Sequence, residues 1–162
     1  MSSYQFLAAD QPISGKANPY IQHLSINEAL AVEMDLPDFL LENPDIDRDE
    51  PLIMVCDSEA HLEELEITPV KDVPSSVKHY TAKPFVLELK WKYTDERAAE
   101  LIGYLRDQLA GTAQIEIWSI WLDETVQAAV HPVIASDLQI ADLKFLDLGQ
   151  GSRLPEGLSI SR

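Results

Sequence analysis

Cysteine occurs once in this chain, glycine six times, and lysine and arginine together only 12 times in 162 residues. Each scarcity excludes something. A lone thiol, Cys56, makes no intramolecular disulfide, which fits a reducing compartment. So few glycines leave no Gly-x-Gly-x-x-Gly or Gly-x-x-x-x-Gly-Lys loop to cradle a phosphate, and no Gly-x-Ser-x-Gly elbow for a serine nucleophile. The nearest approach, Gly149-Gln150-Gly151, follows a predicted helix and reads as a chain turn. Against those 12 bases stand 28 acids, a formal charge of −16. That field repels phosphate backbones and anionic lipid surfaces, so neither nucleic acid nor membrane is an expected partner. No basic segment followed by an apolar one opens the chain, and the longest strongly apolar run, Ile117 to Leu122, is far short of the ~20 residues of a membrane helix. The expected location is cytoplasmic.

What is present is globular in composition, 46% apolar and 25% charged. The length suits a single globular domain over residues 1–162. Tyr4 to Ala9 reads as a first strand. Ser25 and Glu28 have the spacing of a capping box, in which each side chain satisfies an amide of the other, and Leu30 and Met34 continue an apolar stripe up to Pro37. The stretch 37–51 holds three prolines and reads as loop, with one helical turn at 38–42. Leu52 to Cys56 is apolar throughout, the pattern of a central strand buried on both faces. A helical turn at 58–64, a short strand at 65–68 and a loop at 71–76 follow.

The second half has the clearer periodicity. Phe85, Leu87, Leu89, Trp91 and Tyr93 alternate with Val86, Glu88, Lys90 and Lys92, one dry face and one wet. Thr94 caps a helix whose apolar face is Ala98, Leu101, Ile102, Leu105 and Leu109, with Gly111 beyond its end. Ile115 to Leu122 is a strand apolar on nearly both sides. Strand, helix and strand over about 85–122 make a βαβ unit with parallel strands and a right-handed crossover. Asp123-Glu124-Thr125 reads as a turn into a returning strand at 127–134, which Pro132 assigns to an edge. A short helix at 140–148 and a last strand at 154–160 complete an α+β fold, a mixed β-sheet with helices packed mainly on one face.

The departure from an average domain is an acidic belt. From Glu28 to Glu66 there are fourteen acids and one base, Arg48, a formal −13. Repulsion of that size opposes compaction, so a use is worth seeking in docking a basic partner, mimicking a polyanion or collecting cations, beside the plain alternative of a solvated surface that keeps the chain soluble. Asp45, Asp47 and Asp49 have the spacing that begins a calcium loop, but Glu50 stands where the loop needs glycine and Cys56 where it needs its bidentate glutamate. The four histidines, His23, His61, His79 and His131, show no zinc spacing. No metal and no cofactor are expected.

Cys56, at a predicted strand end with Asp57, Ser58 and His61 nearby in sequence, is the best candidate nucleophile. Position six beyond it is Leu62 where a phosphatase loop has arginine, and crowding carboxylates oppose a thiolate. Trp91, Trp118 and Trp121 fall on the two strands of the βαβ unit; large rings on a dry face ordinarily form the core between sheet and helix, and would line a pocket or an interface if those strands were adjacent. With no catalytic residues identified, the expected function is a non-catalytic protein-interaction domain of inhibitor, immunity or adaptor type, docking a basic protein through Asp45, Asp47, Asp49 and Glu50. The alternative is a small-ligand domain or enzyme with a site at Cys56, Trp91, Trp118 and Trp121. Homo-oligomerisation through a sheet edge or through the apolar patch near Val130 to Ile134 is a third course.

Overall fold

The computed structural model describes residues 2–122, 126–150 and 154–162. The turn expected at Asp123 to Thr125, and Gly151, lie outside the described residues. Along the chain the strands are β1 (Ser3–Ala9), β2 (Ile21–Leu24), β3 (Ile53–Cys56), β4 (Glu66–Pro69), β5 (Phe85–Lys90), β6 (Gln114–Trp121), β7 (Ala129–Ile134) and β8 (Glu156–Ser161). The helices are α1 (Ile26–Ala31), α2 (Asp38–Glu42), α3 (Glu59–Leu62), α4 (Ser75–Tyr80) and α5 (Asp95–Gln108), with a 3-10 helix at Ile140–Leu146. They fall into two compact units, one of residues 1–17 with 64–162 and one of residues 18–63.

The larger unit is α+β, a mixed six-stranded sheet in the order β4-β5-β1-β6-β8-β7. Every neighbouring pair is antiparallel except β7 with β8. β5 and β6 run in the same direction with α5 crossing between them, as the βαβ pattern requires. They are not neighbours, because β1 inserts between them and bonds to both. β8 likewise separates β6 from β7, which is an edge strand as Pro132 implies. At the opposite edge, Lys16 exchanges both backbone hydrogen bonds with Ile67 of β4, at 2.8 Å each.

Local chemistry explains the long helix. Thr94 Oγ accepts the Arg97 amide at 3.2 Å, and Asp95 and Glu96 sit at the positive end of the helix. Ala98, Leu101, Ile102 and Leu105 are buried against Leu87, Leu89, Ile115 and Ile117 of the sheet. The helix ends without a left-handed glycine: no described glycine has positive φ, and the Gly111 amide simply bonds the Gln108 carbonyl at 3.0 Å. The 3-10 helix packs on the same side, through Leu143 and Leu146. The opposite face of the sheet carries Phe6, Ala8, Val86, Trp118 and Ile120, covered in part by Val77 of α4. That cover is why Val86, expected on a wet face, is buried.

The smaller unit is built on a two-stranded antiparallel ribbon, β2 with β3. Leu52 to Cys56 is therefore not a central strand. Ile53 packs into a small core around Ile26, Ala29 and Leu36, whereas Leu52 and Met54 are 49% and 55% exposed. The Ser25–Glu28 capping box is present in both directions, at 2.8 and 3.1 Å. The helix stops at Ala31, well before Pro37, and Leu30 is exposed. Met34 and Glu33 amides bond the carbonyls of Ala29 and Leu30, both at 3.0 Å, and Glu33 has φ 57°. This is a Schellman ending with glutamate at the position glycine favours. Glu33→Gly is expected to raise stability by about 1 kcal/mol, because the left-handed conformation penalises Cβ. An increase in the urea midpoint with unchanged slope checks it.

Candidate functional site

The smaller unit concentrates the charge. Residues 18–63 contain twelve acids and one base, a formal −11 within 46 residues. The four residues expected to bind a partner lie in one ordered loop of it. Ile46 turns inward to the small core, and Asp45, Asp47, Asp49 and Glu50 turn to water. Asn43 Oδ1 accepts the Asp45 amide at 3.0 Å, and the Asp47 carboxylate accepts the Asp49 amide at 2.9 Å. Asn27 Nδ2 donates to Asp49 at 2.8 Å, and the Arg48 guanidinium donates to the Leu41 carbonyl at 2.7 Å. Short Asx-type bonds thus hold the loop in shape with its carboxylates outward. Among the described residues, no three His, Cys, Asp or Glu side chains form a group able to hold a metal ion.

The second set of candidates does not form one site. Cys56 ends β3 in the smaller unit, half-buried, its thiol donating to the Ser58 carbonyl at 3.3 Å. His61, its neighbour in sequence, stacks on Tyr20 with ring centroids 4.0 Å apart and planes 9° from parallel. Among the described residues its buried Nδ1 finds no hydrogen-bond partner. The three tryptophans belong to the larger unit. Trp118 packs with Phe6 on one face of the sheet, whereas Trp91 packs against the core on the other. Trp121 is half-buried, opposite Ser3 in the register. β1 between β5 and β6 is what defeats a common pocket.

Trp118 is a core residue, 3% exposed. Its indole N–H donates to Glu116 at 3.0 Å, and its ring lies between Phe6 and Tyr80 at centroid distances of 6.2 and 5.7 Å. Behind Glu116 stands Lys83, 4.0 Å from that carboxylate and 2.6 Å from Asp10. Sequence reasoning missed this polar chain, since positions 10, 83 and 116 come together only when three segments meet. One edge of Trp118 borders a groove of about 250 Å³ with His79, Tyr80, Val126 and Val130. A second groove of about 250 Å³ holds Tyr4, Glu88, Lys90 and Trp91. Burial, with the charge of Glu88 adding, pushes the Tyr4 hydroxyl up to about 12. The Trp91 indole donates to Gln5 Oε1 at 2.7 Å, and Gln5 Nε2 donates to the Leu146 carbonyl at 2.8 Å. Trp91→Phe would strand the buried Gln5 oxygen and cost about 1–3 kcal/mol. The same change made in Gln5→Leu should cost less, a difference that a denaturant double-mutant cycle reads directly.

The unforeseen feature of the smaller unit is apolar. Val32, Phe39, Leu52 and Met54 are 65%, 68%, 49% and 55% exposed, on the unit that also carries most of the charge. A run of apolar letters signals burial, so the sequence alone points the wrong way here. Among the described residues, no helix is long and apolar enough to cross a membrane. No protein-family model, curated protein or solved structure matches the chain.

Proposed function

We propose that this chain is a non-catalytic interaction domain whose acidic unit, residues 18–63, docks a basic partner protein. The observation carrying this reading is the pairing, in one compact unit, of twelve carboxylates against one arginine with exposed Phe39, Leu52 and Met54. Carboxylates alone keep a surface solvated; apolar side chains exposed on the same unit offer the desolvated contact from which affinity is built, while the charge steers and selects. A basic protein is the complement, and phosphate-rich partners are repelled.

Affinity capture with the full chain, at low salt and again at about 0.5 M salt, tests the reading. One stoichiometric basic protein, held at low salt and released at high, is the expected result. Capture of nothing at either salt would reduce the acidic unit to a solubility device.

A further inference from the structure

The ribbon of the smaller unit has only two strands, so β2 and β3 each have an unpaired edge. Among the described residues, the backbone groups of Ile53 to Cys56 bond to β2 and to no other backbone. Natural proteins cover, charge or twist away such an edge, because it templates the addition of another strand. Among the described residues it is neither covered by a third strand nor interrupted by proline.

The two faces of the ribbon differ. Leu24 and Ile53 are register partners facing the small core. His23 and Met54 are the next pair and, by the alternation of a strand, point the other way, where both are exposed. Ile21 and Cys56 share that outer face.

Charge selects between the edges and between the occupants. β3 is entered from Asp47, Asp49 and Glu50 and left through Asp57 and Glu59. Over the same distances in sequence β2 meets one charge, Lys16, a base. A second copy of the chain would bring a unit of −11 against another of −11.

Resting on the function proposed above, we infer that the basic partner docks as an extended segment added to the β3 edge. Its apolar side chains, at every second position, lie over Met54 and the outer face, and lysines or arginines at its two ends meet the acids that bracket β3. Backbone pairing supplies generic affinity in this mode, and alternate side chains with end charges supply selectivity.

Selection of a random twelve-residue peptide library on the full chain at low salt tests it. The expected enrichment is Lys or Arg toward both ends with Val, Ile or Phe at alternate positions. In titrations of the best enriched peptide, N-methylation of alternate backbone nitrogens should weaken binding at least tenfold in one register and little in the other. Met54→Ala should weaken it about threefold to tenfold, and amide shifts should move at residues 53–56. Apolar positions at helical spacing, indifference to N-methylation in both registers, or shifts confined elsewhere would overturn the strand mode. Salt-dependent binding would in those cases leave the acidic-docking function standing. If no peptide binds in a salt-dependent way, the strand mode falls, and the capture experiment above decides the acidic-docking function by itself. If the chain's own mass doubles with concentration and Met54→Ala abolishes this, the occupant is a second copy and the inference is wrong.

Discussion

Replacing Gly157 with alanine should lower the free energy of unfolding by about 3 kcal/mol, an effect at the top of the usual range for overpacking. Gly157 of β8 is the register partner of Trp118 on β6. A Cβ built there would lie 2.6 Å from the indole ring, with two more ring atoms at 2.8 Å. Real Cβ contacts are essentially never that close, and the obstacle is a rigid bicycle with no flexible end to swing aside. Phe6 and Tyr80 are packed around the ring and its N–H is tied to Glu116, so a shift toward the groove at its open edge would break those contacts.

The cause is separable from a general intolerance of alanine in β8. Trp118→Leu alone should cost about 3 kcal/mol through lost packing. In that background Gly157→Ala should cost less than about 1 kcal/mol, because the clashing atoms are gone. Guanidinium unfolding of the four proteins gives the cycle. A full-sized Gly157→Ala penalty in the Trp118→Leu background would mean that backbone conformation, and not the indole, demands glycine.

The parts of this fold visible in the sequence are those decided locally. Thr94, Asp95 and the apolar face from Ala98 to Leu105 mark α5 within one segment, and Ser25 with Glu28 marks the start of α1. The parts not visible are those decided by pairing. β1 reads as a strand, but nothing in Tyr4 to Ala9 says that it bonds β5 on one side and β6 on the other. That single insertion undoes a shared tryptophan pocket. Nothing in the sequence marks β2, because Ile21 to Leu24 is four residues long and follows Pro19 in a turn-rich stretch. Without β2, the apolar run of β3 looks like the interior of a larger sheet. The acidic half of the candidate site was legible as a count of carboxylates; its apolar half was not, because hydropathy patterns assign Leu52 and Met54 to a core they never enter. Gly157 was equally silent: its reason lies on another strand.

Neutralising the belt loop should move stability and binding in opposite directions. In the variant Asp45→Asn, Asp47→Asn, Asp49→Asn, Glu50→Gln, each amide keeps an oxygen acceptor, so the bonds from the Asp49 amide to residue 47 and from Asn27 to residue 49 can persist. What is lost is four of the charges in a unit of formal −11. Relief of like-charge repulsion at exposed positions is worth a few tenths of a kcal/mol each, so the variant should gain about 1 kcal/mol at low salt. At about 0.5 M salt screening removes most of that repulsion from the native chain too, and the two proteins should converge. Binding of a basic partner should instead weaken about 100-fold at low salt, the sum of four contacts of about 0.7 kcal/mol each. A domain that keeps charges costing it stability, and needs them to bind, has the signature of a functional surface. Urea midpoints and titrations at two salt concentrations separate the cases. A variant that is more stable and binds as tightly as the native chain would show the belt to be a solvating surface alone.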